Sequence, residues 1–388
     1  MLCIKNGMIH DAVNREPYIA DILTEDGKIV KIEPNIQVDD SMEVLDATGL
    51  MVYPGFVEAH CHLGLDGHGI GFEGDDCNEM TDILTPQLRA IDAINPMDVT
   101  VNQAALGGVT CVGTGPGSAN VLGGTFAAIK TTGKRIDNMI VKEAVAMKCA
   151  FGENPKRCYR DKNNYSRMSS ASKLREILYK AKEYMEKKEA AGEDITKRPS
   201  YDCKLEALIP VLKREIPLKA HAHRADDIFT AIRIAKEFNL KLTLEHCTEG
   251  HLVADEIAKE NYPVAVGPSF GHATKYELRN KTFETPGILA KAGCQVSIIT
   301  DSPVTPLHYL PLCAGLAVKN GMDEFDALKA ITINPAKHLG IEDRVGSIEP
   351  GKDADFVLAN DNPMESSTKI MYTIINGKLI EKDSNPLV

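Results

Sequence analysis

Apolar and polar positions follow different rhythms in different parts of the chain. Residues 2–4, 20–24 and 29–32 are short apolar or β-branched runs, broken by Asn6-Gly7 and Asp26-Gly27. Such dipeptides favour tight hairpin turns, so this stretch predicts β-hairpins. The other end repeats the rhythm, with runs at 355–359, 371–375 and 378–380 and Asn376-Gly377 before the last. Between the two, apolar runs at 109–112, 144–149, 218–220, 242–244, 264–266 and 296–300 alternate with helical patterns. In 170–189, Leu174, Ile177, Leu178, Ala181, Tyr184 and Met185 share one face of a helix, with Lys and Glu opposite. In 226–238, Ile228, Ile232 and Ala235 do the same. The uncharged stretch 99–129 reads as a buried strand with loops. The segment 153–170 is polar and basic with little periodicity, either a loop over a site or a solvated connection.

Strand–helix alternation of this length predicts an α/β fold with a (β/α)8 TIM barrel, which typically takes ~250 residues. A doubly wound sheet is the alternative. The barrel is expected over 55–344. A small β-sandwich domain built from both chain termini is expected from 1–54 plus 345–388.

Composition narrows the function classes. The chain has 388 residues, with 44 basic and 55 acidic side chains and a formal charge of −11. It lacks tryptophan, and only 5% of its residues are aromatic. Neither nucleic acid nor an anionic membrane is therefore an expected partner. A small-molecule substrate and a homo-oligomer are expected instead. The start of the chain, Met1 to Lys5, shows no apolar leader pattern, and the ten cysteines form no C-x-x-C pair. Reduced, mostly buried thiols and a cytoplasmic location are expected.

The chemistry lies at the ends of the apolar runs. Pro54-Gly55-Phe56-Val57-Glu58-Ala59-His60-Cys61-His62 ends in a His-x-His pair. On a strand this spacing puts both imidazoles on one face, suited to a shared divalent metal. Lys219-Ala220-His221-Ala222-His223 ends a second run in the same way. Leu242-Thr243-Leu244-Glu245-His246 ends in His, and Val296-Ser297-Ile298-Ile299-Thr300-Asp301 ends in Asp. In a barrel all strand C-termini meet at one mouth, where catalytic groups gather. Unpaired imidazoles and a carboxylate buried there would be costly, and a shared metal removes that cost. The run Gly113-Thr-Gly-Pro-Gly117 fails the spacing of a phosphate loop and reads as a tight barrel loop. His10, His68, His251, His308 and His338 lack strand-end settings and are assigned structural or surface roles.

Residues 54–62 resemble the first-strand motif of the metal-dependent amidohydrolase superfamily. The segments Ile331-Thr-Ile-Asn-Pro-Ala-Lys-His-Leu-Gly340 and Gly346-Ser-Ile-Glu-Pro-Gly-Lys-Asp-Ala-Asp-Phe356 resemble its C-terminal signature. Gly152-Glu-Asn-Pro-Lys-Arg157, His221-Ala-His-Arg-Ala-Asp-Asp227 and Thr300-Asp-Ser-Pro303 resemble the imidazolonepropionase-related branch. The resemblance implies one or two divalent metals, zinc first. His60, His62, His221, His246 and Asp301 would ligate them, with His223 the other choice on the fifth strand. A bridging carboxylate would come from carboxylated Lys148 or from Glu153. The implied reaction is hydrolysis of a non-protein C–N bond, in an amide, cyclic amide or dipeptide-like substrate, by a metal-activated hydroxide. Asp301 would shuttle the proton, and His246 or His223 would help to stabilise the oxyanion. Arg224, Lys275 and His272 are candidate substrate contacts. Deamination of a heterocycle at a mononuclear site is the alternative activity, and a scaffold lacking catalysis the non-enzymatic one.

Overall fold

The computed structural model describes residues 1–69 and 71–381. Residues 382–388, the end of the expected terminal domain, lie outside the described residues. The N-terminal strands are β1 (Leu2–Ile9), β2 (Tyr18–Glu25), β3 (Lys28–Glu33), β4 (Glu43–Asp46) and β5 (Met51–Pro54). The next eight are β6 (Phe56–Cys61), β7 (Val109–Thr114), β8 (Leu122–Lys130), β9 (Ile140–Ala150), β10 (Leu218–Ala222), β11 (Leu242–His246), β12 (Val264–Val266) and β13 (Val296–Ile298). The C-terminal three are β14 (Phe356–Ala359), β15 (Ile370–Ile375) and β16 (Lys378–Leu379).

The two ends of the chain share one sheet, ordered β16-β15-β14-β5-β1-β2-β3, with β4 beside β1. Segment 351–354 hydrogen-bonds to the β2–β3 hairpin through Gly351 N to Ile29 O and Ala354 N to Gly27 O. This folds the sheet over a core that includes Ile4, Ile22, Val52, Phe356 and Ile374. Two of the expected turns form. Asp26-Gly27 and Asn376-Gly377 both hold positive φ at each residue, as a two-residue hairpin turn requires. The Asn6-Gly7 signal instead marks a bulge inside β1, where the register with β2 shifts. Gly7 is needed there because a Cβ would sit 2.6 Å from the Val52 side chain.

The second sheet runs β6 to β13 in sequence order as a nearly closed barrel. Neighbours are parallel except at β8, which is antiparallel to both β7 and β9. An antiparallel meander thus replaces one strand–helix unit of the ideal repeat. No ladder joins β13 to β6 among the described residues. That seam is held by Val57 N to Ile331 O and His62 N to Ser302 O, both 2.8 Å. Buried Lys130, the last residue of β8, pairs with Asp353 at 3.0 Å and Asp355 at 2.5 Å, joining the barrel to the terminal sheet.

The predicted helices form as Arg167–Ala191, N-capped by Ser166, and Ala225–Glu237. Leu174, Ile177, Leu178 and Ala181 pack against the barrel core, each large side chain contributing about 1.5–3 kcal/mol. Two segments differ from expectation. Val99–Leu106, inside the uncharged stretch, is a helix whose N-cap Asp98 accepts from Thr100 N. Apolar content alone does not separate helix from strand. Glu153–Cys158 is a short helix, and turns and irregular chain over 159–166 connect it to the long helix.

Candidate metal centre

Period-two alternation directs Glu58, His60 and His62 toward the barrel axis, and likewise Lys219, His221 and His223. His246 and Asp301 leave their strands differently. Their φ angles are 72° and 52°, in the left-handed region, as is that of Cys247 at 42°. Non-glycine residues rarely adopt it, and the cost is on the order of 1–3 kcal/mol each. The twist carries His246 into the mouth, although the residue before it, Glu245, also lies inside the barrel.

Four of the five histidines have Nδ1 hydrogen-bonded away from the mouth, and the fifth, His60, turns Nδ1 toward a carboxylate. His62 Nδ1 meets Gly115 O at 2.7 Å, and His246 Nδ1 meets Gly267 O at 2.8 Å. His221 Nδ1 meets Ser118 Oγ, and His223 Nδ1 meets Thr248 Oγ1, both at 2.8 Å. His60 Nδ1 lies 3.2 Å from Glu245 Oε2. Such outer contacts fix ring orientation and leave Nε2 for a metal. The inward atoms fall into two groups, His60–His62–Asp301 and His221–His223–His246, whose donor atoms lie within 4.8 Å of one another in each group. His221 Nε2, His246 Nε2 and Asp301 Oδ1 are buried with no hydrogen-bond partner among the described residues. A divalent cation fits this donor set: unpaired imidazole nitrogens and a carboxylate, oriented from behind and otherwise unsatisfied.

Charge states agree with that reading. Burial, with neighbouring cations and imidazoles, holds His60, His221 and His223 well below the usual imidazole range, in the neutral form a metal needs. Burial also brings His246 down to about 4. His62 differs. Burial opposes its charge, but Cys77 and Asp301 beside it carry it up to about 10. Burial pushes Asp301 up, yet His246, His62 and His60 outweigh that and hold it well below the ordinary carboxylate range. Asp301 Oδ1 lies 3.2 Å from His62 Nε2 and 3.6 Å from His60 Nε2.

Of the two candidate bridging groups, only Lys148 reaches the centre. Its Nζ is 3.1 Å from His60 Nε2, and burial lowers its pKa to about 8 against the pull of Asp301 and Glu245. Glu153 is in neither ligand group. It begins a helix after left-handed Gly152 and offers its backbone N–H, not its carboxylate, to Glu277 Oε2 at 2.8 Å. Lys275 stands at the rim, its Nζ 2.7 Å from Glu277 Oε1 and 3.0 Å from Asn154 Oδ1. Arg224 pairs with Asp226 at 2.7 Å. His272 is exposed, and its carbonyl, not its ring, is engaged, by Lys281.

Sequence reasoning passed over several residues of the centre. Glu277 is buried and places Oε1 3.9 Å from His221 Nε2 and 3.8 Å from His223 Nε2. Glu245 accepts from His338 at 2.8 Å and Thr243 at 2.7 Å and pairs with the Lys219 ammonium at 2.9 Å. Glu58 accepts from His60 N, Thr300 N and Thr300 Oγ1, bracing the open seam; burial still pushes it up to about 8. Glu58, Lys219 and Glu245 shared one signal, a charge inside an otherwise apolar strand. Glu277, in the single 3-10 turn Tyr276–Leu278, had none.

The model of the amidohydrolase family matches residues 51–380. The chain belongs to this family. An amidohydrolase of Thermotoga maritima MSB8 has a crystal structure that matches with a TM-score of 0.94 at 42% identity, covering 98% of this chain and 100% of that one. Amidohydrolase tasK of Hapsidospora irregularis is 28% identical over 391 residues, which cover 93% of this chain; the chain spans only 40% of that relative's length. A dihydroorotase of Elusimicrobium minutum (strain Pei191) is 25% identical over 405 residues, covering 92% of this chain and 88% of that protein. As an amidohydrolase family member, the chain has its two groups of candidate metal ligands at the strand C-termini, where barrel enzymes carry their chemistry.

Proposed function

We propose that this amidohydrolase family member is a metal-dependent hydrolase of a C–N bond in a small amide, cyclic amide or dipeptide-like compound. The observation that carries this is the convergence of five outward-braced imidazoles and Asp301 on one mouth, with buried donor atoms left unsatisfied. His60, His62 and Asp301 would hold one divalent cation, and His221 and His246, with His223 beside them, a second; zinc suits the nitrogen-rich set. Such ions acidify water and polarise the scissile carbonyl when bound. Asp301, ionised and with Oδ1 free of hydrogen bonds, accepts the proton of the attacking water and returns it to the leaving nitrogen. Lys148, once neutral, adds carbon dioxide at Nζ, forming an N–C bond and releasing one proton. The resulting carbamate supplies the carboxylate between the two groups. Lys275 and Glu277 flank the His221–His223 side and would orient the polar part of a substrate.

Ring deamination is the second reading. An adenine deaminase of Lactobacillus delbrueckii subsp. bulgaricus is 23% identical over 92% of this chain, and 56% of that protein is covered. Lys148 inside the centre favours the amide reading. Incubating the metal-loaded protein with a panel of cyclic amides, N-acyl amino acids, dipeptides and amino-heterocycles tests it. A new carboxylate without ammonia supports amide hydrolysis; ammonia from the heterocycles alone supports deamination. A reducing compartment such as the cytoplasm suits ten cysteines that form no disulfide, and no described helix is long and apolar enough to cross a membrane.

A further inference from the structure

The barrel carries a second concavity on its opposite face. A cavity of about 600 Å³ opens where β10, β11 and β12 begin, lined by Pro217, Leu242, Thr243 and Pro263. Lys142, Arg214, Lys236, Lys241 and Lys337 line it against two acidic side chains, Glu215 and Glu342. Its wall therefore has a net charge of 5 − 2 = +3, in a chain of net −11. Arg214 is engaged by Asn239, and Lys236 pairs with Glu260 at 2.5 Å. Lys142, Lys241 and Lys337 have no carboxylate within 4.0 Å among the described residues. Lys337, in the last turn of Ile333–Leu339, also complements that helix's negative end. Lys142 and Lys241 lie on or beside strands, where no helix end accounts for them.

The buried imidazole of His338 is on the same wall. It is 4% exposed, and its Nδ1 has no hydrogen-bond partner among the described residues. Its Nε2 lies 2.8 Å from Glu245 Oε1. Lys219 Nζ also lies 3.2 Å from this Nε2, but the shorter contact is to a carboxylate oxygen that can only accept, so the His338 proton sits on Nε2 and Nδ1 is left as an acceptor. A ligand completing this wall must thus bring negative charge to the lysines and a hydrogen-bond donor to the imidazole. A simple anion provides the first only, and a neutral alcohol the second only.

We propose that this cavity binds a small anion that also carries a hydroxyl, of the hydrogenphosphate or hydroxycarboxylate type. Lys142, Lys241 and Lys337 meet its charge, and its hydroxyl donates to His338 Nδ1. The site is separate from the metal centre, at the other end of the barrel axis, and does not depend on the reaction run there.

Calorimetric titration of the purified full-length protein with inorganic phosphate tests the proposal, with sulfate at matched ionic strength as comparator. At neutral pH phosphate retains a P–OH donor and sulfate has none. Saturable phosphate binding is expected, at least tenfold tighter than sulfate. The double variant Lys241→Gln/Lys337→Gln, at exposed positions, should weaken phosphate at least tenfold while leaving the circular dichroism spectrum unchanged. Lys142→Gln provides a second, independent loss. Absence of saturable binding, equal affinity for sulfate, or phosphate binding that neither variant alters would each overturn the proposal; the last would place the anion elsewhere, at the barrel mouth.

Discussion

Replacing Glu245 with Gln tests how the centre is braced. The carboxylate accepts hydrogen bonds from His338 at 2.8 Å and Thr243 at 2.7 Å and faces the Lys219 ammonium at 2.9 Å and His60 Nδ1 at 3.2 Å, all inside the barrel. Glutamine keeps one acceptor oxygen and turns an NH2 group toward donors that need an acceptor. It also leaves the fully buried Lys219 ammonium without its counter-charge. Breaking one side of a buried pair costs about 3–5 kcal/mol, and the stranded donors lie within that figure rather than adding to it. Urea unfolding at pH 7, followed by circular dichroism, should show a loss of this size. The double variant Glu245→Gln/Lys219→Met removes the stranded charge and should recover at least half of it. Burial alone would raise the Glu245 pKa, but His338 and Lys219 outweigh it and hold the group well below the usual carboxylate range. Its contribution is therefore present above about pH 4.3, the ordinary glutamate value, and fades as pH falls through the folded-state value. Wild type and variant should converge in acid. A single-variant loss under about 1 kcal/mol, or no recovery in the double variant, would refute this account of the bracing.

Three further outcomes follow from the centre itself. Asp301→Asn should lower kcat by about 10²–10⁴, compared at equal metal occupancy set by loading with excess metal and checked by elemental analysis; unchanged kcat would remove Asp301 as the proton carrier. Lys148→Ala should abolish activity, with partial return on adding short carboxylic acids; since burial lowers Lys148 to about 8, Lys148→Met should stabilise the metal-free protein at pH 7 by up to about 3 kcal/mol, read by urea unfolding. A metal must displace the proton of His62, which is held up to about 10, so below that pH apparent metal affinity should fall by about tenfold per unit; chelator competition at pH 6, 7 and 8 reads the slope, and a flat profile would contradict the charge assignment.

Most of the barrel and its ligand strands were legible because parallel strands buried on both faces announce themselves as apolar runs, and ligands end those runs. His60, His62, His221 and Asp301 came from that rule. His246 did too, although strict alternation would have turned it outward; only its left-handed backbone brings it in. Antiparallel β8 was not legible, since apolar content carries no strand direction. Glu153 was misplaced because the sequence does not show that the chain enters a helix there and presents its backbone N–H. Glu277 reaches the centre from the short 3-10 turn Tyr276–Leu278, whose position is set by tertiary contacts, and His338 lies on a helix whose inward face meets the barrel's far end. Both needed the fold before they could be assigned.

The most direct measurement is elemental analysis of metal in the protein purified without chelators. The expected result is two divalent ions per chain, falling to one or none in His221→Asn/His246→Asn and to one or none in His60→Asn/His62→Asn, with C–N hydrolysis lost in both. A protein that holds no stoichiometric metal after loading, or keeps its full complement in both variants, would contradict the assignment of these side chains as a metal centre.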